Sequence, residues 1–222
     1  MLSQRWRHGL RTPCKSGACW AAPQAWYCLS SMPPPSTVAE SLYWSYANLA
    51  MAHAALVQRA NAYGRVQFMI RARLYKGLCT GTMNMGALAD DERLKLVLPQ
   101  ACCYCGSREK LSVDHLIAKH RGGLDEGDNM VWSCRSCNSS KGAKDVLEWL
   151  RGRDQFPPLL LLRRYLKLAV RCCQERGMMG APLHDGAIAE LPFALALVPH
   201  QFPVPAELSL WVVPLDHGEA AL

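Results

Sequence analysis

Between residues 37 and 61 the chain is rich in Ala, Leu and Met, with Tyr43, Leu49, Ala52, Leu56 and Arg59 along it, and reads as a helix. Thr37-Val38-Ala39-Glu40 opens that run in the form of a capping box, where Thr at the N-cap and Glu three residues on satisfy each other's backbone donors. Gly64 interrupts, and Val66, Met69, Ile70 and Leu74 then recur at helical spacing with Arg65, Arg71, Arg73 and Lys76 between them. Gly77 to Gly86 is turn-rich; a short helix is predicted over Leu88–Leu96, with Pro99 ending it. The period then changes to two. Leu111-Ser112-Val113-Asp114-His115-Leu116-Ile117 alternates like a strand, Gly122-Gly123 breaks it, and Asp128-Asn129 leads into a second strand, Met130–Ser133. A helix follows Cys134, and others are predicted over Lys144–Arg151 and Pro158–Arg176. In the last, Leu159, Leu162, Leu166 and Val170 form an apolar stripe and Arg163, Arg164, Lys167 and Arg171 a basic one. Beyond Gly177 the chain is proline-rich and apolar (Leu191–Val198, Phe202–Pro205, Leu208–Pro214), a segment suited either to pack back on the helices or to meet a partner. The pattern predicts an α+β chain: a strand, loop, strand, helix unit over 99–152, a helical region over 37–98 before it, and a C-terminal helix with an apolar tail over 153–222.

Residues 1–36 break this order. They mix Trp, Cys, Arg and Ser without periodicity and end in Met32-Pro33-Pro34-Pro35-Ser36, which reads as a disordered leader or as an over-extended start before Met32. The net charge is +7 over 222 residues, unevenly spread. From Arg59 to Arg176 there are 21 Lys and Arg against 12 Asp and Glu, a local balance of +9, whereas residues 177–222 hold five acids and no Lys or Arg. A polyanion is therefore the natural partner of the middle of the chain, not of its tail.

Eleven cysteines, an odd count without an apolar signal segment, argue against a secreted disulfide scaffold and point to a reducing cytoplasm. No run reaches the length of a membrane span, so no membrane partner is expected. Four of the cysteines form two Cys-x-x-Cys pairs, Cys102/Cys105 and Cys134/Cys137. Each pair can place two thiolates on one ion, and four complete a tetrahedral structural zinc site. Cys103 lies inside the first pair but lacks the two-residue gap to Cys105. Between the pairs stands Asp114-His115, and Asn138 follows the last cysteine, so a carboxylate, an imidazole and an amide oxygen share the same short stretch. Carboxylate and amide oxygens are hard ligands for a divalent ion, and an imidazole is a base near neutral pH. Asn138 has a second reading as the cap of the helix after Cys137.

The order Cys-x-x-Cys, Asp-His, Gly-Gly, Asp-Asn, Cys-x-x-Cys-Asn-x-x-Lys, from Cys102 to Lys144, resembles the zinc-stabilised HNH endonucleases with their ββα-metal fold. His115 matches the family's first His, Asn129 its central Asn, and Asn138 its final position, where Asn is a common variant. Ala118 stands where relatives often have Pro. The resemblance implies that Cys102, Cys105, Cys134 and Cys137 hold structural Zn²⁺, and that Asp114 and Asn138 hold a catalytic Mg²⁺ or Mn²⁺. It further implies that His115 deprotonates the attacking water, that Asn129 braces the loop, and that cleaved DNA carries 5′ phosphate and 3′ hydroxyl ends. Lys119, Arg121, Arg135, Lys141 and Lys144 flank the site as expected contacts to the phosphates of double-stranded DNA, with the loop residue His120 a further candidate. The reading from another class is a noncatalytic zinc-knuckle module that binds nucleic acid or protein and keeps the ββα unit as scaffold.

Overall fold

The computed structural model describes residues 34–213; the expected leader lies outside them up to residue 33, as does the tail from residue 214. Helix α1 (Val38–Val57) begins at the capping box: Thr37 Oγ1 accepts from Glu40 N at 3.2 Å and Glu40 Oε2 accepts from Thr37 N at 3.3 Å. Ser36 adds its amide and hydroxyl to the same carboxylate, each at 2.8 Å, and these bonds hold Glu40 below the usual carboxylate range. α1 stops before the expected Asn61, and Arg59 follows in the left-handed region at φ 52°. Helices α2 (Arg65–Cys79) and α3 (Leu88–Val97) come next, α2 capped by Gln67 Oε1 on the Gly64 amide at 2.9 Å.

Strands β1 (Leu111–His115) and β2 (Met130–Cys134) form one antiparallel pair, with Leu111 opposite Cys134 and His115 opposite Met130. Leu116 and Ile117, expected in the first strand, leave the sheet and are buried. Helix α4 (Arg135–Lys141) follows β2 without a loop. α5 (Val146–Arg151) and α6 (Leu159–Glu175) complete the helices, so the two strands and α4 form the ββα unit between mostly helical flanks. Among the described residues no helix is long and apolar enough to cross a membrane.

One hydrophobic cluster runs through every part of the described chain. Leu162, Tyr165, Leu166 and Ala169 of α6 share it with Val38 and Leu42 of α1, Leu116 and Val131 of the hairpin region, and Leu191, Phe193 and Leu195 of the tail. The tail therefore packs back on the helices. Its backbone joins them too: Val38 N donates to Ala181 O at 3.0 Å and Leu159 N to Ser209 O at 2.9 Å. Asp145 ties three segments at one point, capping α5 through Leu147 N (2.8 Å) and accepting from Tyr165 Oη (2.8 Å) and Ala194 N (3.1 Å).

The basic stripe of α6 faces inward to acids. Asp91 of α3 accepts from Arg163 Nε at 2.8 Å and from Lys167 Nζ at 2.6 Å, while Glu92 pairs with Arg164 at 2.5 Å. Arg171 reaches Asp128 at 2.9 Å and Glu126 at 3.2 Å in the loop before β2. Arg164 also donates to the carbonyls of Gly127, Asp128 and Met130 at 3.2–3.4 Å. Four cations counted toward the local excess are thus consumed by internal acids. Arg163 and Lys167 hold α3, and Arg164 and Arg171 fix the turn that enters β2, instead of facing a polyanion. Because the Asp91 side chain is only 3 % exposed, removing it strands two cations out of water. Asp91→Ala should lower stability by about 3–5 kcal/mol in denaturant titration. Arg93→Ala, which breaks an exposed 3.7 Å pair with Asp90, should leave the midpoint unchanged.

Candidate metal centre and active site

Cys102 and Cys105 sit on a turn whose backbone closes on itself, Gly106 N donating to Cys102 O at 2.9 Å and Cys102 N to Ser107 O at 2.8 Å. Cys134 ends β2 and is the N-cap of α4, and Cys137 lies one turn further on. The four sulfurs lie within 4.8 Å of one another, and Cys105 Sγ is 3.7 Å from Cys134 Sγ. A tetrahedral ZnS₄ centre with about 2.3 Å bonds needs sulfurs about 3.8 Å apart, so the donor set fits the ion. The Cys137 amide points at Cys134 Sγ at 3.4 Å, and this bond is the main reason the Cys134 thiol is drawn down to about 7. Cys103 takes no part. It is fully buried, its amide donates to Trp132 O at 2.8 Å, and burial raises its thiol well above the ordinary value.

With the base of the hairpin held by this cluster, strand alternation sends neighbouring residues to opposite faces. Ser112 and Asp114 face α4. Asn138 Nδ2 donates to Ser112 Oγ at 3.3 Å and to Val113 O at 3.2 Å. Since Cys134 caps α4, Asn138 lies inside the helix, which overturns its reading as the cap. Asp114 is buried, with Tyr104 Oη donating to Oδ2 at 2.7 Å and Lys141 Nζ lying 3.1 Å from each carboxylate oxygen. Lys141 also donates to His115 O at 2.9 Å, and its side chain is 0 % exposed. Burial first, and then the neighbouring Cys103 and Asp114, push the Tyr104 phenol well above its usual range, so it serves as a proton donor to Asp114. This corrects the expectation that Lys141 contacts substrate phosphate: its ammonium is sealed inside the unit. Nor do Asp114 and Asn138, as placed, fit a second cation, because both oxygens of the carboxylate are already engaged by an ammonium.

His115 points the other way. Its Nε2 lies 2.7 Å from Asp125 Oδ1, and Asp125 Oδ2 lies 2.6 Å from Lys119 Nζ. Those contacts, Lys119 first and His115 second, hold Asp125 below the usual carboxylate range. Asp125 is the residue that sequence reasoning missed; it sits in the loop after Gly122-Gly123, and no motif spacing marks it. Asn129 is 1 % exposed and fills the centre of the same loop. Its Oδ1 accepts from Ile117 N at 2.8 Å, and its Nδ2 donates to Ile117 O and Leu124 O, both at 2.8 Å. Gly123 is required there: a Cβ on it would lie 1.9 Å from Ile117 O. Ala118 has φ −61°, the angle a proline would impose. Lys119, His120, Arg121, Arg135 and Lys144 are exposed, Arg121 with its Nε 3.3 Å from Pro192 O.

Residues 102–144 match the family model of HNH endonuclease, so this stretch is an HNH domain, of a nuclease-type, nucleic-acid-related class. Comparisons with curated proteins and with solved structures find no match.

Elemental analysis should find zinc bound to the purified chain, and Cys134→Ser should lose it together with the hairpin's amide protection. Asn129→Ala should instead keep the zinc. It should cost about 1–3 kcal/mol for each loop group left unpaired and speed hydrogen exchange at the Ile117 amide.

Proposed function

We propose that the HNH domain makes this chain an endonuclease that hydrolyses phosphodiester bonds of double-stranded DNA, with His115 as general base. The observation that carries the reading is the His115–Asp125 pair on the face of the hairpin away from α4. A carboxylate can only accept, so Nε2 carries a proton, and in the neutral imidazole the lone pair is then on Nδ1. The imidazole is thereby held in one tautomer by an ionised partner, which is what a base for water requires. Nδ1 takes a proton as the water oxygen bonds to phosphorus; the bond from phosphorus to the 3′ oxygen breaks, and that oxygen is protonated from solvent. The products are a 5′ phosphate and a 3′ hydroxyl.

Asp125 acts as a positioning residue, as does Asn129, which holds the loop between His115 and Asp125. Exposed Lys119 and Arg121 in the loop after His115, with exposed Arg135 at the start of α4 and Lys144 beyond its end, supply sequence-independent phosphate contacts. The second reading, a noncatalytic zinc module that binds nucleic acid, is favoured by one observation: Asp114 is committed to Lys141 and Tyr104.

Plasmid nicking separates the two. His115→Ala should cut about 10²–10⁴-fold more slowly than the native chain while retaining its zinc. Equal cleavage by both proteins would remove His115 from the chemistry. Salt-dependent DNA binding with no cleavage under any divalent ion would establish the noncatalytic module instead.

A further inference from the structure

The buried ammonium of Lys141 occupies the position on Asp114 that a metal ion would need. Its Nζ lies 3.1 Å from both carboxylate oxygens and 2.9 Å from His115 O, with the side chain fully buried. Tyr104 completes the carboxylate's shell through Oδ2 at 2.7 Å. A carboxylate taken this far from water needs a counter-charge, and Lys141 provides one. A divalent ion added beside the ammonium would meet a like charge across a few ångströms of poorly screened interior. The gap between α4 and β1 therefore holds one cation or the other.

We infer that Lys141 is the resident counter-ion of Asp114 and that a divalent cation reaches this carboxylate only by displacing it. The inference rests on the HNH resemblance for naming Asp114 as the expected ligand. Asn138 stands one turn before Lys141 on α4, with its amide nitrogen held by Ser112 and Val113.

The test uses the zinc-loaded full chain and Mn²⁺ as the sole probe, followed by electron paramagnetic resonance or calorimetry. Lys141→Met should bind Mn²⁺ at least about tenfold more tightly than the native chain, since removing a unit charge beside a shared carboxylate exceeds that increment. Asp114→Asn should lose the site. Native-like folding of Lys141→Met with unchanged or weaker Mn²⁺ affinity would overturn the inference. Should that variant not fold, the native protein supplies the measurement through amine acetylation mapped by mass spectrometry. Lys141 should be protected without Mn²⁺ and become reactive along the binding curve; protection that persists at saturation overturns the proposal. If Mn²⁺ displaces Lys141 but no DNA is cut, the nuclease reading fails and this one stands. If Asp114→Asn binds Mn²⁺ like the native chain, this inference falls and the His115→Ala comparison is unaffected.

Discussion

The four-thiol cluster is the constraint from which the active region follows. Two five-residue strands and a seven-residue helix bury too little apolar surface to hold their own shape. Zinc on four cysteines contributes about 10–16 kcal/mol of apparent binding energy, which becomes folding energy where the empty site is unformed. Its ligands enter from the turn before β1 and from the junction of β2 with α4, so one ion sets the hairpin register and the place of α4 together. Once that register is set, the opposed faces of β1 separate Asp114 from His115 although they are adjacent in sequence. One side chain goes into the gap beneath α4 and the other toward the Gly-Gly loop.

The helical flanks are part of this arrangement. α6 lies outside the HNH stretch, yet Arg164 and Arg171 grip the residues that enter β2, next to Asn129, which braces the loop between His115 and Asp125. The buried pairs between α3 and α6 gain little net stability over an apolar packing of the same shape, because each charge loses its water. Their contribution is placement: a carboxylate with two cations on it admits few alternative registers of α3 on α6. The hydrophobic cluster through α1, α6 and the tail supplies the burial that this seam does not.

A basic chain is easily read as a basic surface, and here the two differ. Arg163, Arg164, Lys167 and Arg171 are matched inside the fold, and Lys141 is sealed against Asp114. The cations left facing solvent near the hairpin, Lys119, Arg121, Arg135 and Lys144, are fewer than the count of residues suggests: Lys119 and Arg121 lie in the loop after His115, whereas Arg135 sits beside Lys110 at the other end of β1.

Short-range order was legible without coordinates. The Thr37–Glu40 cap, the alternation of Leu111–His115 and the spacing of Cys102, Cys105, Cys134 and Cys137 each depend on residues close in sequence, or on one ion's geometry. The α+β class and the zinc frame follow from those. What required the tertiary structure was the partner of every charged group. Asp125 reaches His115 across a glycine loop, Lys141 turns inward to Asp114, and the basic stripe of α6 meets acids some seventy residues away on α3. Periodicity reports which face of an element is apolar. It carries no information on which distant carboxylate that element will meet, because an ion pair is decided by where two chains of contacts bring their ends.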